Sequence, residues 1–265
     1  RQTERVGEVV GGGRDPAHLQ KAVELGILDR YETDPARAVA GADMVVLAVP
    51  LGAMEGLMRN IAPVLGPDTV LTDVGSAKGS VVKAAQAVFG ELPPGFVPGH
   101  PIAGTEKSGV TAAFPELYRE RRVILTPLPT SAQAAVRKVR AMWEACGAHV
   151  VEMGVEHHDE VLAATSHLPH MLAYALVDTL ARMDDSQEIF DFAAGGFRDF
   201  TRIASSDPDM WHDICLANHD ALVKMLEAFS DDLRLLADAV RRADSGFLKE
   251  TFTRAKQARD AFCDK

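Results

Sequence analysis

Met44-Val45-Val46-Leu47-Ala48-Val49 is an unbroken apolar run that Pro50 closes. With no polar alternation it reads as a strand covered on both faces, as strands of parallel sheets are. The flanking sequence keeps a matching rhythm. Residues 6–10 read as an earlier strand, after which Asp15-Pro16 supplies an N-cap and a first-turn proline, and Leu19, Ala22 and Val23 give a helical stripe that Gly26 stops. Asp34-Pro35 starts a second helix in the same way. Helical spacing over residues 51–65 leads to a strand at 69–74, a helix at 78–89, strands at 96–98 and 122–126, a helix at 131–145 and a strand at 149–153. This alternation predicts an α/β fold, a doubly wound parallel sheet with right-handed crossovers. In such sheets ligands bind outside the carboxyl ends of the strands.

After Gly154 the strand signals stop. Leu162, Thr165, Leu168, Leu172, Ala175, Leu176 and Leu180 recur near a 3.6 period, and Asp207-Pro208 starts a long helix whose stripe runs through Ile214, Ala221, Met225, Phe229, Leu233, Leu236 and Val240. Residues 1–153 are therefore expected to form the sheet domain and residues 154–265 an all-helical domain. Helices of this length on a small domain need a partner surface, which predicts a homodimer.

The formal charge of -10 argues against a nucleic-acid partner, since the basic clusters at 119–122 and 241–242 are short and flanked by acids. No apolar run approaches the roughly 20 residues of a membrane span, so no membrane association is expected. Three widely spaced cysteines, Cys146, Cys215 and Cys263, suit neither a disulfide framework nor a metal site; they read as buried thiols in a reducing cytoplasm.

Polar clusters interrupt this scaffold where ligands are expected. His100, between Gly99 and Pro101 just past a strand, reads as a turn histidine that works either as a base or as a partner of backbone groups. Residues 73–79, DVGSAKG, end another strand; Ser76 there is a helix N-cap or a hydroxyl that orients the imidazole. Residues 166–170, SHLPH, place a proline inside a helix, where it frees a carbonyl and kinks the axis. His167 and His170 lack the carboxylate or cysteine that would complete a zinc set, so a substrate contact from one and a structural role for the other is preferred. Arg198 and Arg202 follow the Gly195-Gly196 pair and suit bidentate binding of a carboxylate, or an ion pair within the protein. Gly13-Arg14 stands where an NAD-binding strand would carry an acid for the ribose hydroxyl. Loss of the acid and gain of a cation favour a 2′-phosphate, hence NADP with NAD possible; the alternative is a glycine turn with a solvated arginine.

Taken together and in order, VVLAVP (45–50), DVGSAKG (73–79), GHPIAGTEKSG (99–109), SHLPH (166–170) and GGFRDFTRIASSDPDMW (195–211) resemble the prephenate/arogenate dehydrogenase family of tyrosine biosynthesis. The resemblance implies a Rossmann-like domain, then a helical domain that builds an intertwined dimer, with the active site between them. It implies His100 as catalytic base, assisted by Ser76 near the nicotinamide. His170, Arg202, Glu106 and Trp211 would bind substrate, and Gly13, Arg14, Val49, Pro50 and Ser76 would line the cofactor. The implied reaction is NAD(P)-dependent oxidative decarboxylation of prephenate to 4-hydroxyphenylpyruvate. Alternatives are an arogenate or dual-specificity cyclohexadienyl dehydrogenase and, more remotely, a β-hydroxyacid dehydrogenase or a non-catalytic NADP-binding dimer. The family's first strand and its GxGxxG turn have no counterpart from Arg1 onward, and residues 1–5 read as the tail of the helix after that turn.

Overall fold

Val70 and Leu71 are neighbours on one strand and lie in different cores. That two-residue alternation organises the sheet region of the computed structural model, which describes residues 6–104 and 109–263. The reading of residues 1–5 and the expected role of Glu106 lie outside the described residues. In chain order the strands are β1 (Val10–Gly12), β2 (Arg30–Glu32), β3 (Met44–Leu47), β4 (Val70–Asp73), β5 (Phe96–Val97), β6 (Gly99–Pro101), β7 (Arg122–Leu125) and β8 (His149–Glu152). The helices among them are α1 (Pro16–Glu24), α2 (Pro35–Val39), α3 (Met54–Ile61), α4 (Lys78–Phe89) and α5 (Gln133–Ala145). Then follow α6 (Val155–Leu162), a π turn (Ala163–His167), α7 (Leu168–Ala181), α8 (Ser186–Asp191), α9 (Gly195–Thr201), α10 (Pro208–Ala217), α11 (His219–Arg241) and α12 (Ser245–Cys263).

The expected Rossmann-like parallel architecture is present. β1 pairs with β2, β3 with β4, β4 with β5 and β7 with β8, all parallel. Met54, Met58 and Ile61, spaced for one face of α3, join Val81 and Ala85 of α4 over Val45, Leu47, Leu71 and Phe96. On the other core, Val136, Val139 and Trp143 of α5 cover Val70, Val97, Val123 and Leu125. Each fully buried side chain of this size is worth about 1.5–3 kcal/mol. Asp15 and Asp34 cap α1 and α2 as expected, each carboxylate accepting two backbone N–H groups.

Several expectations are corrected. Val46 is 41% exposed, not covered, while its strand neighbours Val45 and Leu47 are buried. The first strand forms at Val10–Gly12 instead of residues 6–10, paired with Arg30–Glu32; a Cβ on Gly11 would lie 2.2 Å from Leu28 Cδ1, which would have to move. His100 is not on a turn. It lies in β6, antiparallel to β7 opposite Ile124, where the ladder satisfies backbone groups that a turn would leave open. The π turn widens the helix just ahead of Pro169, so the proline falls in the first turn of α7, where its missing N–H is tolerated. The long helix expected from Pro208 is two, broken at Asn218, whose side chain is committed elsewhere. Cys146 and Cys263 are exposed and Cys215 half-buried, the first two falling where α5 and α12 end.

Packing divides the chain into two compact units, one up to His219 and one from Asp220 onward. The second holds most of α11 and all of α12. No helix among the described residues is long and apolar enough to cross a membrane.

Candidate active site

Asp73 ends β4 fully buried, and its carboxylate gathers the backbone around it. It accepts from Gly75 N at 2.8 Å and Gly99 N at 3.2 Å and pairs with the equally buried Lys78 ammonium, which also donates to Gly99 O at 2.6 Å. The turn after β4, the first residue of α4 and the first residue of β6 are thereby fixed to one another, and β6 carries His100. Burial pushes Lys78 below the usual lysine range, against the pull of the Asp73 carboxylate.

His100 faces His158 of α6, with Nδ1 2.9 Å from His158 Nε2 and the rings edge-on at 5.1 Å. His158 Nδ1 lies 2.8 Å from Asp159 Oδ1. The same Asp159 carboxylate accepts from Lys78 N and Gly79 N, each at 2.8 Å, so it caps α4 from a distant helix. Ser76 is not that cap: Ala77 occupies the N-cap position and Ser76 stands half-buried one residue earlier. Burial, then the Lys78 charge, then His158 and His167 lower the His100 pKa well below the ordinary histidine value. The ring is neutral at neutral pH, the form that accepts a proton.

A second set of side chains adjoins the first. His170 stacks on Trp211 with ring centroids 3.6 Å apart and binds Ser166 O through Nδ1 at 2.8 Å. Trp211 also meets the edge of His167, which is 1% exposed and whose pKa burial lowers to about 4 against the opposing pull of Asp159. Asn218 joins the two sets, its Nδ2 donating to Asp159 O at 2.8 Å and lying 3.1 Å from His167 Nδ1. These bonds sit at the residue where α10 gives way to α11. Arg202 is exposed and opens the 3-10 turn Arg202–Ser205, which packs against α7, the helix of His170. Among the described residues no three His, Cys, Asp or Glu side chains converge as a metal set.

Beyond the end of β1, Gly11 to Asp15 and His18, Leu19, Ala22, Ile27 and Leu28 line a cavity of about 450 Å³. Gly13 N donates to Glu32 O at 3.3 Å, and Arg14 is exposed at the rim. Val49 packs on the core at the end of β3, and Pro50 starts the 3-10 turn Leu51–Ala53, where Gly52 N donates to Asp213 Oδ2 of α10 at 2.9 Å.

Residues 1–152 match the family model described as prephenate dehydrogenase, nucleotide-binding domain, and residues 154–254 match prephenate dehydrogenase, dimerization domain. The chain belongs to the prephenate/arogenate dehydrogenase family. A cyclohexadienyl dehydrogenase from Zymomonas mobilis is 40% identical over 242 residues, covering 90% of this chain and 81% of that protein. A prephenate dehydrogenase from Bacillus subtilis is 36% identical over 241 residues, 90% of this chain and 65% of that protein. The crystal structure of Aquifex aeolicus prephenate dehydrogenase with hydroxyphenyl propionate and NAD+ superposes with a TM-score of 0.91 at 38% identity, covering 98% of this chain and 91% of that one.

Of the residues singled out from the sequence of this family member, His100 joins a hydrogen-bonded network and His170 and Trp211 form one stacked pair. Gly13 and Arg14 share a separate cavity. Sequence reasoning missed His158, Asp159 and Asn218 and the pairing of Lys78 with Asp73. The signals on offer were the run His157-His158-Asp159 just past the last strand and, for the Lys78–Asp73 pair, the acid and the lysine inside DVGSAKG.

Proposed function

We propose that the chain catalyses NAD(P)-dependent oxidative decarboxylation of prephenate to 4-hydroxyphenylpyruvate. The observation that carries this reading is the nearly buried His100 imidazole on β6, held by His158 of α6. In the proposed reaction His100 removes the proton from the C4 hydroxyl as the C4 hydrogen departs with its electron pair; the ring carboxylate leaves as carbon dioxide, its bonding electrons aromatise the ring to a phenolate, and the phenolate oxygen takes the proton back. Aromatisation drives the step. A nicotinamide dinucleotide, when bound, supplies the hydride acceptor. Arg202 holds a substrate carboxylate, His170 and Trp211 form a wall of the substrate site, and Ser76 assists His100 near the nicotinamide.

A dual-specificity reading, with arogenate as a second substrate, has the support of the Zymomonas relative, which is named a cyclohexadienyl dehydrogenase. Both are tested by mixing the protein with prephenate or arogenate and NAD or NADP and following reduced-nicotinamide absorbance. A rise with prephenate is expected; silence in all four combinations overturns the reading.

The cavity beyond β1 suits the adenosine end of NADP: Gly13 brings no carboxylate to the strand end, Asp15 in the lining is engaged in capping α1, and Arg14 supplies a cation at the rim. Gly13→Asp is expected to lower kcat/KM with NADP about tenfold or more, equivalent to about 1.4 kcal/mol, while NAD turnover rises or holds. A Cβ at residue 13 would lie 3.3 Å from Leu19 Cδ2, so Leu19 must move by a few tenths of an ångström to admit it, and thermal unfolding of the variant checks that the fold is kept. An unchanged NADP/NAD ratio would remove Gly13 from cofactor choice.

The helical region is proposed to build a homodimer. In the unit from Asp220 onward, Leu233, Leu235, Val240, Phe252 and Phe262 expose 48–73% of their surface, which a second copy would cover. Light scattering is expected to give twice the chain mass; a monomer at micromolar concentration overturns this.

A further inference from the structure

The reading of His100 as base leaves open why its ring presents the correct nitrogen. We propose that His158 and Asp159 are positioning residues that hold His100 with Nδ1 protonated and Nε2 bare, and that share the positive charge when Nε2 takes a proton. The inference rests on the proposed role of His100.

The hydrogen-bond inventory fixes the direction of the chain. Asp159 accepts from three directions, Lys78 N, Gly79 N and His158 Nδ1, all at 2.8 Å. Burial alone would push its carboxyl up, but the bonds from His158, Lys78 and Gly79 outweigh that and hold it below the ordinary carboxylate value. An ionised carboxylate only accepts, so His158 Nδ1 carries a hydrogen. With one proton between the two rings, His158 Nε2 offers a lone pair and His100 Nδ1 donates across the 2.9 Å gap. Nε2 of His100 is then unprotonated. Among the described residues Nε2 bonds to no protein group, and it is absent from the buried polar atoms left without a partner.

When Nε2 accepts a proton, His100 becomes an imidazolium whose Nδ1 proton lies between it and His158. Passing that proton to His158 Nε2 moves the charge next to the Asp159 carboxylate and leaves total charge unchanged. A carboxylate that orients an imidazole and stabilises its cation without being protonated acts the same way in Ser-His-Asp triads. Here a second imidazole is inserted between carboxylate and base. The other groups facing His100 are Lys78 of α4, backed by Asp73 of β4, and His167 of the π turn. His158 and His167 also disfavour a cation on His100, though less than burial and the Lys78 ammonium do. Asp159 is the carboxylate at the far end of the relay, where the transferred charge would come to rest beside it.

The decisive measurement needs no turnover. In protein labelled with 15N-histidine, with His100 assigned by its loss in His100→Asn, the wild type is expected to show Nδ1 protonated and Nε2 bare. His158→Leu is expected to lose that preference. Nε2 protonation in the wild type overturns the proposal even if the enzyme is active, and the tautomer result stands even if prephenate and arogenate both prove not to be substrates. Kinetics on the active substrate add a second test. His158→Leu should lower kcat roughly tenfold to a hundredfold, with KM values within about twofold. His158→Gln, whose amide oxygen accepts from His100 Nδ1, should recover much of the loss. Asp159→Asn should lower kcat and move the acid limb of kcat/KM to lower pH, because removing the anion weakens the base. Wild-type profiles in folded His158→Leu and Asp159→Asn would overturn the relay.

Discussion

His100→Asn is expected to lower kcat by roughly 10²- to 10⁴-fold, the usual contribution of general acid–base catalysis, while the cofactor dissociation constant changes by less than about twofold. The asymmetry follows from geometry: His100 lies on β6 against His158 of α6, whereas the cavity assigned to the adenosine end lies beyond β1. Asparagine keeps a short polar side chain on the strand and can still reach toward His158, so the fold is expected to survive. What disappears is the nitrogen that accepts the proton. Because the His100 pKa is pushed well below the ordinary value, the wild-type acid limb should fall below pH ~6.5, with activity retained as pH drops through neutrality. In His100→Asn that limb should vanish from whatever activity remains. Turnover within about threefold of wild type would remove His100 from the mechanism.

The parts legible in the sequence are those with local causes. A proline after aspartate and a stripe at 3.6 spacing located α1, and an apolar run located β3, because each rests on residues adjacent in the chain. Position along a strand was less legible: β1 lies at Val10–Gly12, where it pairs with Arg30–Glu32 from beyond the next helix. The functional network was least legible. Asp159 caps α4 from 81 positions away, and Asn218 reaches Asp159 across 59. Along the chain the first looks like one acid of a solvated helix face and the second like a tolerable interruption in an apolar stripe. Ser76 shows the converse. Its residue type and position suit an N-cap, yet a carboxylate from another helix supplies two hydrogen bonds to the α4 terminus and so leaves the hydroxyl uncommitted to that end.

The same reasoning makes Lys78 the position where a substitution should cost the most stability. Lys78→Met keeps length and apolar volume but strands the Asp73 carboxylate, which is fully buried and left with only the Gly75 and Gly99 N–H groups. Breaking one partner of a buried pair costs about 3–5 kcal/mol, which in a chain of this size lowers Tm on the order of 10 °C. Asp73→Asn should be costly for the mirrored reason, an uncompensated ammonium. In the double variant Lys78→Met/Asp73→Asn neither charge remains, and the amide carbonyl introduced at position 73 can still accept a backbone N–H. Its loss should therefore be smaller than the sum of the single losses by at least about 1 kcal/mol. Denaturant unfolding at neutral pH reads all three values. Turnover should fall with Lys78→Met as well, because the ammonium also holds Gly99 O and so the strand position of His100. If Lys78→Met were within about 1 kcal/mol of wild type, or the single losses simply added, the Asp73–Lys78 pair would not be what fixes β4, α4 and β6 to one another.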